Sequence, residues 1–316
     1  MKPALRLIHH LTLTALALAC ATVTHAQTYP HKPVRIVTAA PGGGVDYTAR
    51  VLAQGLAALL GQPFIIENRG GAATIPAQNV ATADADGYTL LLHNNTIWTA
   101  PLFEKLPDYM SNLAPIILAT RSPNILVIHP SVAARTVKEL IALAKAKPGE
   151  LNYASGPVGA ANYLAAELFN AMAGVKLVRV GYKGGAPAMS DLMGGQVQVM
   201  FATSGSIIQH VKSGRLIALG VTGTEQTALA PGVPTIASSG VPGYELIAIY
   251  GLFAPAKTPA AIIAALNKAA LQVLAQPDVK EKFFTTGMET GGGTPKDFDV
   301  AVKGDVARIQ KAIKPR

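Results

Sequence analysis

The chain's most chemically suggestive stretch runs from Arg35 to Arg50, where Pro41 and three consecutive glycines, Gly42, Gly43 and Gly44, separate an apolar run from a helical pattern. Glycine tolerates unusual backbone angles and lets a ligand approach main-chain N–H groups closely. The first turn of a helix adds donors with no intrahelical partner and a partial positive charge. Together they suit a carboxylate or a phosphate. Asp46 has a competing reading, as an N-cap that takes up those donors itself. The stock nucleotide loops do not fit: a dinucleotide fingerprint needs glycine where Tyr47 stands, and a P-loop needs Gly-Lys-Ser/Thr where Val45, Asp46 and Tyr47 stand. No cofactor is expected.

Ser155-Gly-Pro-Val-Gly159 is a second glycine-bearing turn, feeding a helix from Ala160 and thus matching the first. Tyr182-Lys183-Gly184-Gly185 is a third, and its lysine could pair with a carboxylate. Tyr47, Tyr163 and Tyr182 could stack on an aromatic acid. Trp98 either walls a cleft or anchors a short helix. Catalytic chemistry has little to build on, because His31, His93, His129 and His210 show no metal-ligand spacing and no Gly-x-Ser-x-Gly elbow or acid pair is present. Among the histidines, His93 alone falls near the expected cleft, as a hydrogen-bonding residue. No metal site and no enzyme activity are expected.

The 316 residues, half of them hydrophobic, suffice for two domains. Lys2 and Arg6, the apolar run Leu11 to Ala19 and Thr24-His25-Ala26 read as a secretory signal peptide ending at Ala26. Cleavage there removes Cys20, the single cysteine, so a mature chain beginning at Gln27 has no disulfide and no thiol ligand. A lipoprotein with Cys20 as its modified first residue is the rival reading, against which Ala17-Leu18-Ala19 is a poor approach. The formal net charge of +9 is spread over scattered Lys and Arg, without a dense basic run, so no nucleic-acid partner is expected.

Strand, glycine loop and helix alternate from Val34 onward, which implies parallel α/β sheets covered on both faces. Expected strands include Val34 to Ala39, Phe64 to Ile66, Tyr88 to Leu92, Ile116 to Leu118, Asn124 to Ile128, Leu151 to Ala154, Leu177 to Val180, Val197 to Phe201 and Leu216 to Val221. Thr136-Val-Lys-Glu139 is a capping box, and Thr294-Pro295 caps the last of three terminal helices. The chain is expected to leave a first lobe near Thr120 and return near Tyr250, with the C-terminal helices packing back on that lobe. The boundaries are 1–26 for the signal, 27–122 plus 250–316 for domain 1 and 123–249 for domain 2. Ligands of open α/β sheets bind at the carboxyl ends of strands. The loops Pro41 to Asp46, His93 to Thr96, Ser155 to Gly159, Tyr182 to Gly185 and Ala202 to Gly205 all fall there.

An ordered set of motifs resembles the extracytoplasmic solute receptors of tripartite tricarboxylate transporters, the Bug family. These are Tyr29-Pro-His-Lys-Pro-Val-Arg35, Ala40-Pro-Gly-Gly-Gly44 with Asp46 and Arg50, Gly61-Gln-Pro63 with Glu67-Asn-Arg69, and Asp86-Gly-Tyr88. Further on stand Leu151-Asn-Tyr-Ala-Ser155, Leu164-Ala-Ala-Glu-Leu-Phe169, Tyr182-Lys-Gly-Gly-Ala-Pro187, Gly194-Gly-Gln196, Val233-Pro-Thr235 and Gly240-Val-Pro-Gly-Tyr244. The resemblance implies a type II periplasmic binding protein-like fold, bilobal, with two parallel-sheet α/β domains and a hinge. It implies a monomeric periplasmic receptor that closes on a small organic anion, a mono- or dicarboxylate, and offers it to membrane permease subunits.

Carried over by position, the ligand shell would be Pro41, Gly42, Gly43, Gly44, Asp46 and Tyr47 in the first lobe with Asn94, Asn95 and Thr96. Ser155, Gly156, Gly159, Ala160, Tyr182, Lys183, Gly184 and Thr203 would supply the second. Three positions depart from the family pattern. Ala202 follows Phe201 where Asp is common, Ala160-Ala-Asn-Tyr163 replaces a turn that often holds Ser/Thr and His, and Gly181 precedes Tyr182 where Pro is usual. The alternatives are a secreted α/β hydrolase or transferase, or a ligand sensor feeding a two-component kinase.

Overall fold

The computed structural model describes residues 29–70, 74–156, 158–182 and 185–313, with the side chain of residue 312 excepted. The expected signal peptide and Cys20 therefore lie outside the described residues, as do Lys183 and Gly184. Contacts divide the chain into residues 1–31 and 32–316, and every element below belongs to the second unit.

Ten strands form one curled sheet in the order β2-β1-β3-β9-β4-β7-β5-β6, with β10 and β8 also pairing on β4. Its first part is built from β1 (Val34–Thr38), β2 (Phe64–Asn68) and β3 (Thr89–Asn94), all parallel. Between them run α1 (Gly44–Leu60) and α2 (Thr74–Ala81), and β3 leads into the short α3 (Thr96–Thr99). The second part is built from β5 (Asn152–Ser155), β6 (Val178–Gly181) and β7 (Val199–Thr203), again parallel. Around it lie α4 (Val137–Ala146), α5 (Ala161–Ala173), α6 (Gly185–Met193) and α7 (Ser204–Lys212), with β8 (Ile217–Val221) on the far edge.

Two long strands hold the parts together, and they run antiparallel, so the two parallel-stranded parts are joined into one mixed sheet. One is β4, a single strand over Leu113–Ile128 where two separate strands were expected. It pairs with β9 (Ile247–Pro255) from Leu113↔Pro255 to Pro123↔Ile247, and then with β7 from Asn124↔Thr203 onward. Pro123 lacks an N–H donor, and the change of partner falls immediately after it. The chain thus crosses between the lobes on β4 and returns on β9, side by side.

The remaining elements are α8 (Ala260–Ala275), α9 (Pro277–Thr285), β10 (Glu289–Gly292) and α10 (Pro295–Ala312). A full capping box at Thr294 and Asp297 starts α10. At Thr136 the hydroxyl accepts from Glu139 N–H, but the glutamate reaches Arg135 N–H instead of its own cap residue, so that box is only half formed. α10 does not pack on the first lobe alone. Phe298 and Val302 join a core with Val37, Leu91, Trp98 and Phe253, while Ile309 and Ile313 join the other lobe's core with Tyr163, Phe169 and Phe201. The helix's apolar stripe is long enough to face both cores in turn.

Candidate functional site

The glycine turn begins where β1 ends, and α1 starts two residues before Asp46, so the expected N-cap role for Asp46 is corrected. Gly43 is the N-cap, in an extended conformation with no side chain to offer. Asp46, one turn in, reaches back to accept the Gly42 N–H at 3.1 Å, and it also accepts from Arg50 Nε at 3.0 Å and Asn68 Nδ2 at 2.7 Å. Burial raises the pKa of this carboxyl, and the bonds from Arg50, Asn68 and Gly42 outweigh it, leaving it below the ordinary aspartate value. Asp46 is therefore charged and fully engaged. It shapes the loop, while the N–H groups of Gly43, Gly44 and Val45 stay without intrahelical acceptors.

Tyr250, on β9, stands against this turn. A methyl group placed on Gly44 would come within 3.0 Å of the tyrosine hydroxyl, which explains glycine there. The ring is nearly buried, and among the described residues its hydroxyl has no hydrogen-bond partner. Asn94 is paired with Tyr250 across the β3–β9 ladder, so it belongs to a strand end and not to a loop. Its side-chain oxygen accepts from Thr96 N–H at 3.3 Å and from the Thr96 hydroxyl.

The expected site residues divide sharply. Asn95 turns away from the cleft: it is fully buried, and its amide reaches toward Ile247 O and Asp305. Trp98 does the same, donating its indole N–H to Asp305 at 2.9 Å, and so is the anchor of α3 and not a cleft wall. Tyr47 packs edge-on against Phe283 and donates its hydroxyl to Lys282 O at 3.1 Å. Tyr182 donates to Asp191 at 2.7 Å within its own lobe. Both tyrosines are spoken for by the scaffold.

On the opposite side, Ser155 is fully buried and its hydroxyl accepts from Arg179 Nε at 3.0 Å; Arg179 also donates to Gly156 O at 2.8 Å. Asn162 Oδ1 accepts from Gly156 N–H at 3.3 Å and Tyr163 N–H at 2.9 Å, which fixes the amide so that its NH₂ is left over. Gly159 has φ of 81° and faces Ala100, and its carbonyl accepts from Thr99 at 3.2 Å, so this turn touches the first lobe directly. Ala160 sits beside it as the N-cap of α5.

Two adjoining cavities share the wall at Asn94. One, about 540 Å³, has Asn124, Asn162, Phe201, Ala202, Thr203 and Tyr250 in its lining. The other, about 380 Å³, has Ala40, Val45, Arg69, His93, Thr96 and Ala160. They lie where strand ends from both lobes converge, the place a doubly wound sheet offers a ligand. A larger cavity of about 590 Å³, between α10 and the segment from Trp98 to Pro115, is reached by none of these strand-end loops.

The sequence reading missed Asn124, Asn162 and Tyr250. Asn124 is 1 % exposed, and its side-chain nitrogen has no partner, although it faces a cavity. The signal for it was a polar residue, after a proline, heading the apolar run Ile125 to Ile128. No group of three or more His, Cys, Asp or Glu among the described residues could hold a metal. No described helix is long and apolar enough to cross a membrane.

His93 is almost fully buried in β3, and burial pushes its imidazole down to about 4. It stays neutral at physiological pH and brings no charge to an anion. The unfolded chain protonates first, near pH 6.5, so stability falls as pH drops from about 6.5 towards 4 and the decline then levels off. The span corresponds to roughly 3 kcal/mol. His93→Gln is expected to flatten that part of the stability–pH curve, measured by urea denaturation at pH 7 and pH 4.5.

Residues 48–316 match the profile of the tripartite tricarboxylate transporter family receptor. The chain belongs to that family. It is a solute receptor and not an enzyme. BugT of Bordetella pertussis is 34% identical over 276 residues, covering 85% of this chain and 85% of BugT. Among solved structures, Rpa4515 of R. palustris with adipate superposes with a TM-score of 0.78 at 34% identity, covering 90% of this chain and 97% of that one. MatC of Rhodopseudomonas palustris with bound malate has a TM-score of 0.75 at 29% identity, covering 90% and 100%. These receptors share the bilobal α/β fold, and family membership places this receptor among periplasmic binding proteins.

Proposed function

We propose that the chain binds a small organic carboxylate in the cleft between its lobes and hands it to a membrane permease. The observation that carries this is the set of unfilled neutral donors around the two adjoining cavities: the start of α1 at Val45 on the smaller, and the Tyr250 hydroxyl and the Asn124 amide on the larger. Oxyanions are well held by such groups, because oriented N–H dipoles stabilise charge without a counter-ion. Two structural relatives carrying adipate and malate support the same ligand chemistry. Among the positions expected to touch ligand, we assign that role to Pro41 to Gly44, Asn94, Thr96, Gly156, Gly159, Ala160 and Thr203.

Closure follows from the topology. A ligand touching both lobes favours the arrangement in which they meet, and the closed face is what a permease reads. With domain boundaries at 122/123 and 249/250, as the sequence suggests, the hinge would fall on β4 and β9. Export through a signal ending at Ala26 would deliver a monomer to the periplasm. Thermal-shift screening against mono- and dicarboxylates, malate included, tests the reading. A bound acid at 100 times its Kd stabilises by about 2.7 kcal/mol. If no small acid raises the melting temperature, carboxylate reception is refuted.

A further inference from the structure

We propose that the solute has one carboxylate, bound near the crossing strands by Asn124, Tyr250 and Asn162, and an uncharged apolar body lying on Met189, Met200 and Ala202. This rests on the carboxylate reading and narrows it to a substrate class. The 540 Å³ cavity has no charged side chain among its described lining residues. Its free polar groups are neutral donors.

The donors come from three elements, β4, β9 and α5. Asn124 is tied down by its backbone, whose N–H donates to Thr222 Oγ1 at 2.8 Å and whose carbonyl accepts from Thr222 N–H at 2.9 Å, so its buried amide cannot swing away to water. Asn162 offers NH₂ alone, since its oxygen is held by two backbone N–H groups. With the Tyr250 hydroxyl beside Gly44, these are donors in want of acceptors. A carboxylate is acceptor-only when ionised and satisfies all of them.

Asn94 adds one more amide NH₂, its oxygen being held by Thr96, and the rest of the lining is chiefly apolar. Ala161, Ala186, Met189, Met200, Phe201 and Ala202 are apolar. Thr203 and Ser206 have hydroxyls, but Thr203 donates to Ser206 at 3.1 Å and Ser206 donates to Thr203 O at 2.8 Å, so both protons are in use. A second carboxylate there would lose its hydration without gaining a partner. Methionines suit an apolar body, because their flexible, polarisable side chains adapt to aliphatic and aromatic shapes alike. The adjoining cavity does contain Arg69, yet that guanidinium is paired with Glu67, and Glu104 in the same wall repels an anion.

Hexanoate and adipate have the same number of carbons and differ by the second carboxylate, so the pair isolates the question; benzoate adds a rigid aromatic body. Calorimetric titration of the protein is expected to show hexanoate or benzoate binding at least about tenfold tighter than adipate. Asn124→Asp should weaken the preferred monocarboxylate by about a hundredfold, with a lowered melting temperature because its carboxylate is buried, and Tyr250→Phe by about tenfold with an unchanged melting temperature. Should Asn124→Asp fail to fold, the tyrosine variant still decides. Adipate binding as tightly as either monocarboxylate overturns the proposal. So does an adipate preference that disappears in Lys183→Met, which would make that lysine the reader of a second carboxylate. If none of the three acids binds but malate does, the single-carboxylate proposal falls and the receptor reading stands. If malate fails too, both fall.

Discussion

Replacing Asp46 by alanine is expected to lower stability by about 2 to 4 kcal/mol and to abolish solute binding. The carboxylate accepts from three groups on three segments: Gly42 in the turn, Arg50 one helical turn on, and Asn68 at the end of β2. Removing it leaves the Gly42 N–H and the Asn68 amide without that acceptor. Arg50 is largely exposed and rehydrates at little cost, so its ion pair is the minor part of the loss. For a chain of this size the change corresponds to a fall of roughly 5 to 10 °C in melting temperature. The sign with pH follows from the lowered pKa. The stabilisation is complete above the ordinary aspartate value near 3.9 and is lost as pH falls through the lower folded-state value. Asp46→Asn, which keeps one acceptor oxygen, should retain part of the stability. Equal losses for alanine and asparagine would show that the bonds to Gly42 and Asn68 do not matter.

The glycine turn could be found in the sequence because its chemistry is local. Three glycines before a helix need no distant partner to be legible, and neither does the Thr294 cap. What β4 does was not legible. Ile116 to Leu118 and Asn124 to Ile128 read as two strands because Thr120, Arg121, Ser122 and Pro123 interrupt the apolar run. In the fold Thr120 and Ser122 are buried, with Ser122 donating to Gly287 O at 2.9 Å, so tertiary contacts satisfy the polar groups that seemed to break the strand. The antiparallel course of β4 and β9 is likewise a property of pairing across more than a hundred residues, invisible to any local pattern.

The same limit explains the site. Asn95 and Asn94 are adjacent and alike in type, yet one faces Asp305 and the other the cleft. Sequence position alone cannot separate them, because the choice depends on which side β9 and α10 pack. Asp305 itself is buried, and burial raises its carboxyl pKa against the bonds from Trp98 and Asn95. Tyr47 and Tyr182 were assigned to ligand stacking, but Phe283 and Asp191 reach them first. For Asn95 and Tyr47 the scaffold supplies a partner from an element far away in the chain, and for Tyr182 from the next helix. In the lining of the larger cleft cavity, Asn94, Asn124, Asn162 and Tyr250 keep donors that no described scaffold partner takes.

Gly43→Leu separates the turn's two functions, since it should remove solute binding while leaving the fold intact. Gly43 has φ of −97° and ψ of 173°, angles any residue adopts, and a methyl group built there meets nothing within 4 Å. Folding therefore does not require glycine at this position. Binding does, because a carboxylate must come within about 3 Å of the first N–H groups of α1, and a leucine side chain fills the open space in front of them. The expected result is affinity weakened at least about a hundredfold, roughly 2.7 kcal/mol, with the melting temperature shifted by no more than about 2 °C. Gly44→Ala is the informative neighbour. Its methyl group would press on Tyr250 at 3.0 Å, so any loss there is transmitted through the tyrosine hydroxyl, and it should shrink in a Tyr250→Phe background. Unchanged affinity in Gly43→Leu would remove the turn from the site and leave the crossing-strand donors to hold the anion alone.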